Sequence, residues 1–181
     1  MKRIIPILVL VLILAVVGIS GCTGVQSKTY SSNGLNLTYP GDMNPNATFI
    51  FVTSPTNDTT LDTLGNDKLK IAIAENNVPS SVKQFFNLTQ YQGFVWQGLN
   101  NDSSTKYTNL YTGDKSKNGT TVYEEIYTSK DPVSGTELKN KRVVVFKDMN
   151  KLYQVIFQTK TADFESQQDT INNIENSIVL T

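Results

Sequence analysis

Residues 139–159, KNKRVVVFKDMNKLYQVIFQT, decide the fold of this chain. Residues 143–146 are apolar at four consecutive positions, which predicts a strand buried on both faces in the interior of a sheet. Residues 148–151, DMNK, predict a tight turn, and residues 152–159 are rich in β-branched and aromatic side chains. The stretch therefore predicts an antiparallel hairpin in the middle of a sheet.

Alternating or apolar runs before this hairpin predict further strands, separated by residues that favour turns. The predicted strands cover residues 35–39, 48–53, 69–74, 106–112 and 121–128, and the arms of the hairpin cover 139–147 and 152–159. The polar stretch that ends at Asp67 is predicted to be a loop, and turn-forming residues at 114–119 and 131–135 predict two more connections.

Two helices are predicted to accompany the sheet. Val82, Phe85 and Phe86 have the spacing of one helix face and follow a Pro-Ser-Ser start at residues 79–81. A second amphipathic helix is predicted over residues 163–177. Its apolar stripe consists of Phe164, Ile171, Ile174 and Ile178. The sequence therefore predicts an α+β domain, an antiparallel sheet of six to seven strands with one helix inserted mid-chain and one packed at the C-terminus.

The N-terminal residues resemble the lipobox of secreted lipoproteins. Lys2 and Arg3 precede an apolar run at residues 4–19, and Gly21 and Cys22 follow it. The resemblance implies cleavage before Cys22 and lipidation of its thiol. Two alternatives stay open. The run is near the lower length limit of a spanning helix, so an uncleaved apolar anchor is one, and a secretory signal with a chance cysteine is the other.

This reading divides the chain into three parts. Residues 1–21 are the signal peptide, residues 22–33 are the lipidated cysteine and a flexible tether, and residues 34–181 are one domain. The tether is predicted because residues 23–33 are small, polar and aperiodic. The remaining length is enough for one hydrophobic core. We therefore expect a domain held on the outer, extracytoplasmic face of the cell membrane, through lipid on Cys22 or through the apolar run.

Composition excludes several classes of function. Without Lys2 and Arg3 the chain keeps 14 basic and 16 acidic residues, so it lacks the basic excess with which proteins hold nucleic acid. It has no histidine, and lipidation would occupy its single cysteine. The usual general bases, thiol nucleophiles and ligands of zinc, haem and iron–sulfur clusters are therefore missing. We predict no catalytic residue, no metal and no cofactor.

Glycosylation is predicted from six Asn-x-Ser/Thr sequons, which suit an exported surface protein and favour an archaeal source over a bacterial one. The sequons begin at Asn36, Asn46, Asn57, Asn87, Asn101 and Asn118.

Aromatic residues are the candidate contacts for a ligand or partner. Tyr91, Phe94 and Trp96 cluster after the first predicted helix, and Trp96 lies between two glycines. Tyr and Trp are favoured at binding surfaces. The alternative is that Trp96 is a hydrophobic plug and that the tyrosines of the strands, such as Tyr127 and Tyr153, cover the sheet.

Oxygen-bearing side chains give weaker candidates. Glu124 and Glu125 are adjacent on a predicted strand, so they point to opposite faces and cannot bracket one glycosidic bond. We expect one to be solvated and the other to pair with a cross-strand lysine. Asp62, Asn66 and Asp67 have oxygens suited to calcium but lack the EF-hand spacing, and a polar turn is the alternative.

The mature domain resembles the PsbP-like family, whose fold is shared with Mog1. The similarity lies in the opening NGLNLTYP at residues 33–40, in LYQVIF at 152–157, and in the closing helix that ends with NSI at 176–178. It implies an antiparallel sheet with helices packed on it, and an accessory, non-catalytic role. The histidines linked to metal in some members have no counterpart here.

We therefore predict a membrane-anchored extracytoplasmic lipoprotein that serves as a binding or accessory module for a surface assembly or envelope component. Its partner would be a protein or a carbohydrate of the cell surface. Two other functions stay open. One is a small carboxylate-dependent hydrolase of envelope sugars or peptides, and the other is a purely structural, glycosylated surface protein.

Overall fold

The computed structural model describes residues 26–50, 59–77, 108–117, 120–148 and 151–181. These residues contain ten strands and one α-helix. The strands are β1 (Ser27–Ser32), β2 (Leu35–Pro40), β3 (Asn44–Pro45), β4 (Thr59–Gly65), β5 (Lys70–Asn77), β6 (Thr108–Lys117), β7 (Thr120–Lys130), β8 (Glu137–Asp148), β9 (Lys151–Lys160) and β10 (Val179–Leu180). A 3-10 turn at Thr161–Asp163 leads into helix α1 (Phe164–Asn176).

The strands form two antiparallel sheets. The larger has seven strands in the order β3-β4-β5-β9-β8-β7-β6, and the smaller has the order β1-β2-β10. The predicted hairpin is confirmed as β8 and β9, which pair from Leu138 with Lys160 to Asp148 with Lys151. Val143 and Val144 are neighbours on opposite faces of β8 and both are fully buried. Strand β8 is therefore an interior strand covered on both sides, as its apolar run predicts.

The predicted α+β class is confirmed, with seven strands in the main sheet and a C-terminal helix. The helix predicted from residue 79 and the candidate strand at residues 51–53 lie outside the described residues. Residues 48–50 do not belong to a strand. The turn predicted at 131–135 is closed by the Gly135 N–H, which donates to the Asp131 carbonyl at 2.8 Å.

The flexible tether predicted over residues 22–33 is wrong for Ser27–Ser32. This segment is strand β1, which pairs along its whole length with β2, from Ser27 with Pro40 to Ser32 with Leu35. Asn33 and Gly34 close the hairpin with φ angles of 52° and 88°. Most side chains of β1 are exposed, and the sequence of this strand therefore shows no hydrophobic alternation. The strand is held by backbone hydrogen bonds and by Tyr30, which packs against the core.

Three more strands, β3, β4 and β10, were not predicted, for a similar reason. Strand β4 was predicted to be a polar loop because only Leu61 and Leu64 interrupt its polar run, yet it pairs with β5 from Thr59 with Asn76 to Gly65 with Lys70. Strand β10 has two residues and pairs with β2. Strands β3 and β10 have only two residues and are too short to show a periodic pattern, and β4 is defined by its backbone pairing with β5.

The core lies between the two sheets and α1. Strand β2 contributes Leu35 and Leu37, and α1 contributes Phe164, Ile171 and Ile174, all at most 2% exposed. The large sheet supplies the facing layer. That layer includes Leu64, Leu69, Ile71, Ile73, Val122, Val143, Val145, Tyr153, Val155 and Phe157. The apolar stripe predicted for the helix is thus confirmed, and helix and small sheet cover the same face of the large sheet.

A buried ionic cluster ties α1 to the large sheet. Lys141 on β8 forms an ion pair with Glu175 on α1, and its Nζ also lies 3.8 Å from Glu124 Oε2 on β7. On the opposite face, Arg142 donates to Glu125 at 2.9 Å. Both glutamates are 1% exposed. The prediction that one of them is solvated is therefore wrong, because each has a cross-strand cation on its own face.

We predict that Lys141→Met lowers the free energy of unfolding by about 3–5 kcal/mol, because it leaves two carboxylates in the core without their cation. Lys139→Met is the matched control. It removes an ion pair with Glu165 whose side chain is 81% exposed, so we expect a loss below about 1 kcal/mol. Urea denaturation of both variants measures the difference. Equal losses would contradict a structural role for the cluster.

A second polar contact joins the two sheets. The Tyr30 hydroxyl on β1 donates to Asp62 Oδ2 on β4 at 2.6 Å. Burial of the ring, followed by this hydrogen bond, raises the pKa of Tyr30 to about 12. Since the folded pKa lies above the ordinary value of 10.0, the fold favours the neutral phenol. The stabilisation is complete below pH 10 and is lost as the pH rises towards 12.

We therefore expect Tyr30→Phe to be less stable than the unmodified chain at neutral pH, with the difference shrinking between about pH 10 and about pH 12. Urea denaturation at a series of pH values measures it. Thr29→Val, an exposed change on the same strand, should keep a constant difference from the unmodified chain. A Tyr30→Phe difference that does not change with pH would show that the hydroxyl is not linked to folding.

Candidate functional site

An open groove of about 1010 Å³ lies where the small sheet meets α1. Strand β2 forms one wall through Thr38, Tyr39 and Pro40, and one face of α1 forms the other. Asp42 and the turn at residues 66–68 close one side. The groove is thus assembled from three parts of the chain that are far apart in sequence.

The helical wall is a stripe of side chains with helical spacing. Its members are Gln167, Thr170, Asn173, Ile174 and Ser177. The Ser177 hydroxyl accepts the Thr38 N–H of β2 at 2.8 Å and donates to the Ile174 carbonyl at 2.6 Å. This pair of contacts fixes the C-terminal end of α1 against β2. The two walls are therefore joined at one end, and the groove runs along the helix from there.

The turn at residues 66–68 is held by the side chain of Asn66. Its Oδ1 accepts the N–H groups of Lys68 and Leu69 at 3.0 and 2.9 Å, and its Nδ2 donates to Asp42 Oδ2 at 2.9 Å. Leu69 is fully buried, so the turn is anchored in the core. Asp67 and Lys68 are exposed at the rim. The Asn66 oxygen thus caps backbone N–H groups, the polar-turn alternative of the sequence analysis.

The N-terminal end of β1 lies beside this groove. Ser27, which lines the groove, pairs with Pro40, and the next residue after Pro40 is Gly41. A Cβ atom on Gly41 would lie 1.9 Å from the Gln26 carbonyl oxygen, so only glycine permits this approach. Gln26 and Ser27 are therefore held beside the Pro40–Asp42 end of the groove.

The lining can make many hydrogen bonds but carries little charge. Gln167, Thr170 and Asn173 donate or accept no side-chain hydrogen bond within the described part of the chain. The charged side chains of the lining are two carboxylates, Asp42 and Asp67, and one cation, Lys68. The amide, hydroxyl and carboxylate groups suit a neutral ligand rich in hydroxyl or amide groups.

Most of the residues that sequence reasoning selected lie outside the described residues. These are Cys22, Tyr91, Phe94, Trp96, Asn57, Asn87, Asn101 and Asn118. Of the two remaining sequons, Asn36 is half-buried on the central strand of the small sheet, whereas Asn46 is exposed in a turn with φ 59°. Tyr127 and Tyr153 are 4% and 1% exposed, so these two rings cover the sheet rather than form an exposed stripe.

Sequence reasoning missed the groove entirely. Its lining side chains are ordinary surface residues, and no short motif connects them. One signal was present, because Gln167, Thr170 and Asn173 form a polar row directly beside the apolar stripe of α1. That row alone does not show what faces it.

Two further properties concern only the described residues. No group of three or more His, Cys, Asp or Glu side chains is placed there to hold a metal ion. None of the helices in those segments has the length and apolar character needed to cross a membrane.

No family model matches the chain, and no curated protein matches its sequence. Solved structures do match in fold. CyanoP, the cyanobacterial PsbP of Synechocystis sp. PCC 6803, is 13% identical with a TM-score of 0.63, over 90% of this chain and 95% of that one. The Ran-binding protein Mog1p of Saccharomyces cerevisiae is 9% identical with a TM-score of 0.55, over 86% and 96%.

LpqN of Mycobacterium tuberculosis, involved in cell envelope biogenesis, is 11% identical with a TM-score of 0.53, over 86% of this chain and 91% of that one. All three structures have low sequence identity to this chain, so the similarity shows the fold alone. The order of strands, the two sheets and the C-terminal helix show that this chain has the fold shared by PsbP and Mog1.

Proposed function

We propose that this protein is a membrane-anchored extracytoplasmic lipoprotein that binds a component of the cell envelope or a surface assembly without chemically changing it. The groove between β2 and α1 would be its binding site. The observation that carries the proposal is this open groove, whose helical wall presents the side chains of Gln167, Thr170 and Asn173 without a hydrogen-bond partner in the described part of the chain.

The anchor is supported by the order of residues at the N-terminus. A basic head, an apolar run and a small residue before Cys22 form the pattern of a lipidated precursor. LpqN, which shares the fold, is described as involved in cell envelope biogenesis, and that role is compatible with a surface location. The exposed sequon at Asn46 would be accessible to a glycan on a surface protein.

A binding role is favoured over hydrolysis by the state of the carboxylates. Glu124 and Glu125 are buried on opposite faces, and each is next to a cation. One observation favours the hydrolase, since Asp42 and Asp67 line the same groove. Both are exposed to solvent, however, and a general acid of a glycosidase normally sits in an apolar pocket that keeps it protonated. The open groove likewise favours a binding role over a purely structural one.

The anchor predicts a specific mass for the protein extracted from membranes. The chain should lack residues 1–21 and carry a glyceryl lipid in thioether linkage on Cys22. Cys22→Ser should abolish this modification and leave the precursor unprocessed. Intact-mass spectrometry of the two proteins measures it. An unmodified thiol at Cys22 would contradict the lipid anchor, and a full-length chain in the membrane would indicate the uncleaved apolar anchor instead.

The binding site predicts a pair of contrasting variants on α1. Thr170→Trp should fill the groove and weaken ligand binding at least tenfold, while Asp169→Trp, one residue away and outside the lining, should leave it unchanged. Amide NMR titration of the lipoprotein with a panel of disaccharides and short peptides measures both.

Equal binding by the two variants would contradict the groove as the site. Hydrolysis of any panel member, lost in Asp42→Asn or Asp67→Asn, would instead identify the hydrolase.

A further inference from the structure

We propose that the groove opens at the surface of the membrane that holds the protein, and that it binds the neutral sugar headgroup of a lipid in that membrane. This inference rests on the proposed function, because it requires attachment at Cys22. It adds the position of the groove relative to the membrane and the class of molecule that the groove binds.

The connection between Cys22 and strand β1 is short. Only residues 23–26 separate Cys22 from Ser27, the first residue of β1. A fully extended chain covers at most about 18 Å over the five steps from Cys22 to Ser27. The 13-residue helix α1 is about 20 Å long by comparison. The start of β1 therefore cannot rise above the lipid headgroups by more than about the length of helix α1.

This short connection is attached to the domain at one end of the groove. Ser27 is a lining residue of the groove, and Gln26 packs against Gly41 beside Pro40 and Asp42. The attachment point and one end of the groove are therefore the same place. The opposite end of β1, at Ser32, continues into the Asn33–Gly34 turn, whose Asn33 carbonyl accepts a hydrogen bond from Tyr153. That turn lies one strand length farther from the anchor.

The side chains that line the groove favour a neutral ligand. Two carboxylates against one cation give a net charge of −1, which disfavours phosphate and other anionic headgroups. Lys28, the nearest other cation on β1, donates to the Met43 carbonyl. Amide and hydroxyl side chains at Gln167, Thr170 and Asn173 match the alternating donors and acceptors of a sugar. A neutral, hydroxyl-rich headgroup is the membrane component that fits these groups.

The test uses the full lipoprotein reconstituted in phosphatidylcholine vesicles that contain a minority of diglucosyl diacylglycerol. A photoreactive p-benzoylphenylalanine replaces Lys68 at the groove rim, or replaces exposed Ser31 near the far end of β1 as the control position. After illumination, mass spectrometry counts the lipid adducts. We expect glycolipid adducts at position 68 enriched about fivefold or more over their mole fraction, which corresponds to about 1 kcal/mol of preference, and few adducts at position 31.

Two further variants separate the sugar from the membrane. Thr170→Trp should abolish the enrichment, and Asp169→Trp should keep it. A 20-residue Gly/Ser insertion before Gln26 lets the domain move away by about 25 Å. It should reduce glycolipid adducts severalfold, while soluble diglucosylglycerol still binds the groove with unchanged affinity.

Each result decides between named alternatives. Adducts with both lipids in proportion to their mole fractions would overturn recognition of the sugar. Absence of lipid adducts from vesicle-bound protein, or adducts unaffected by the insertion, would overturn the position at the membrane while leaving the proposed anchor intact. Loss of vesicle attachment itself would contradict the proposed function instead.

Discussion

The ion cluster around Lys141 is the constraint on which the rest of the structure depends. A lysine buried on β8 must have anionic partners, because an isolated charge in the core is too costly. Glu124 on the neighbouring strand and Glu175 on α1 meet this need. The partner on the helix matters most, since it fixes where the C-terminal half of α1 lies over the sheet. The position of the helix then determines the position of the groove wall.

Sequence predicts those parts of this fold whose signal is local. The valine run of β8 and the stripe of Phe164, Ile171 and Ile174 on α1 each specify their own burial, so the central hairpin and the helix were predicted correctly. Strand β1 has exposed serines and lysine, and its assignment depends on the backbone of β2. A sequence without hydrophobic alternation is predicted to be a flexible tether when its partner strand is not known.

The candidate site could not be predicted for a related physical reason. Its walls come from residues 27–42, 66–68 and 167–177, and only the folded chain brings them together. The pairing of Glu124 and Glu125 shows the same limit. Alternation along β7 correctly placed the two carboxylates on opposite faces, but their burial follows from Lys141 and Arg142 on β8. Side chains whose role depends on another element carry no periodic signal of their own.

The groove persists because α1 is attached to the two sheets by different contacts. Near its N-terminus the buried ring of Phe164 lies 4.1 Å from Lys139 Nζ, and near its C-terminus Glu175 pairs with Lys141, so both ends contact β8 of the large sheet. Ser177 joins the helix end to Thr38 on β2 of the small sheet. Between these points, the polar side chains of Gln167, Thr170 and Asn173 line the groove. A helix held firmly at its ends and packed on one side leaves its other side open, which is the condition for a preformed binding site.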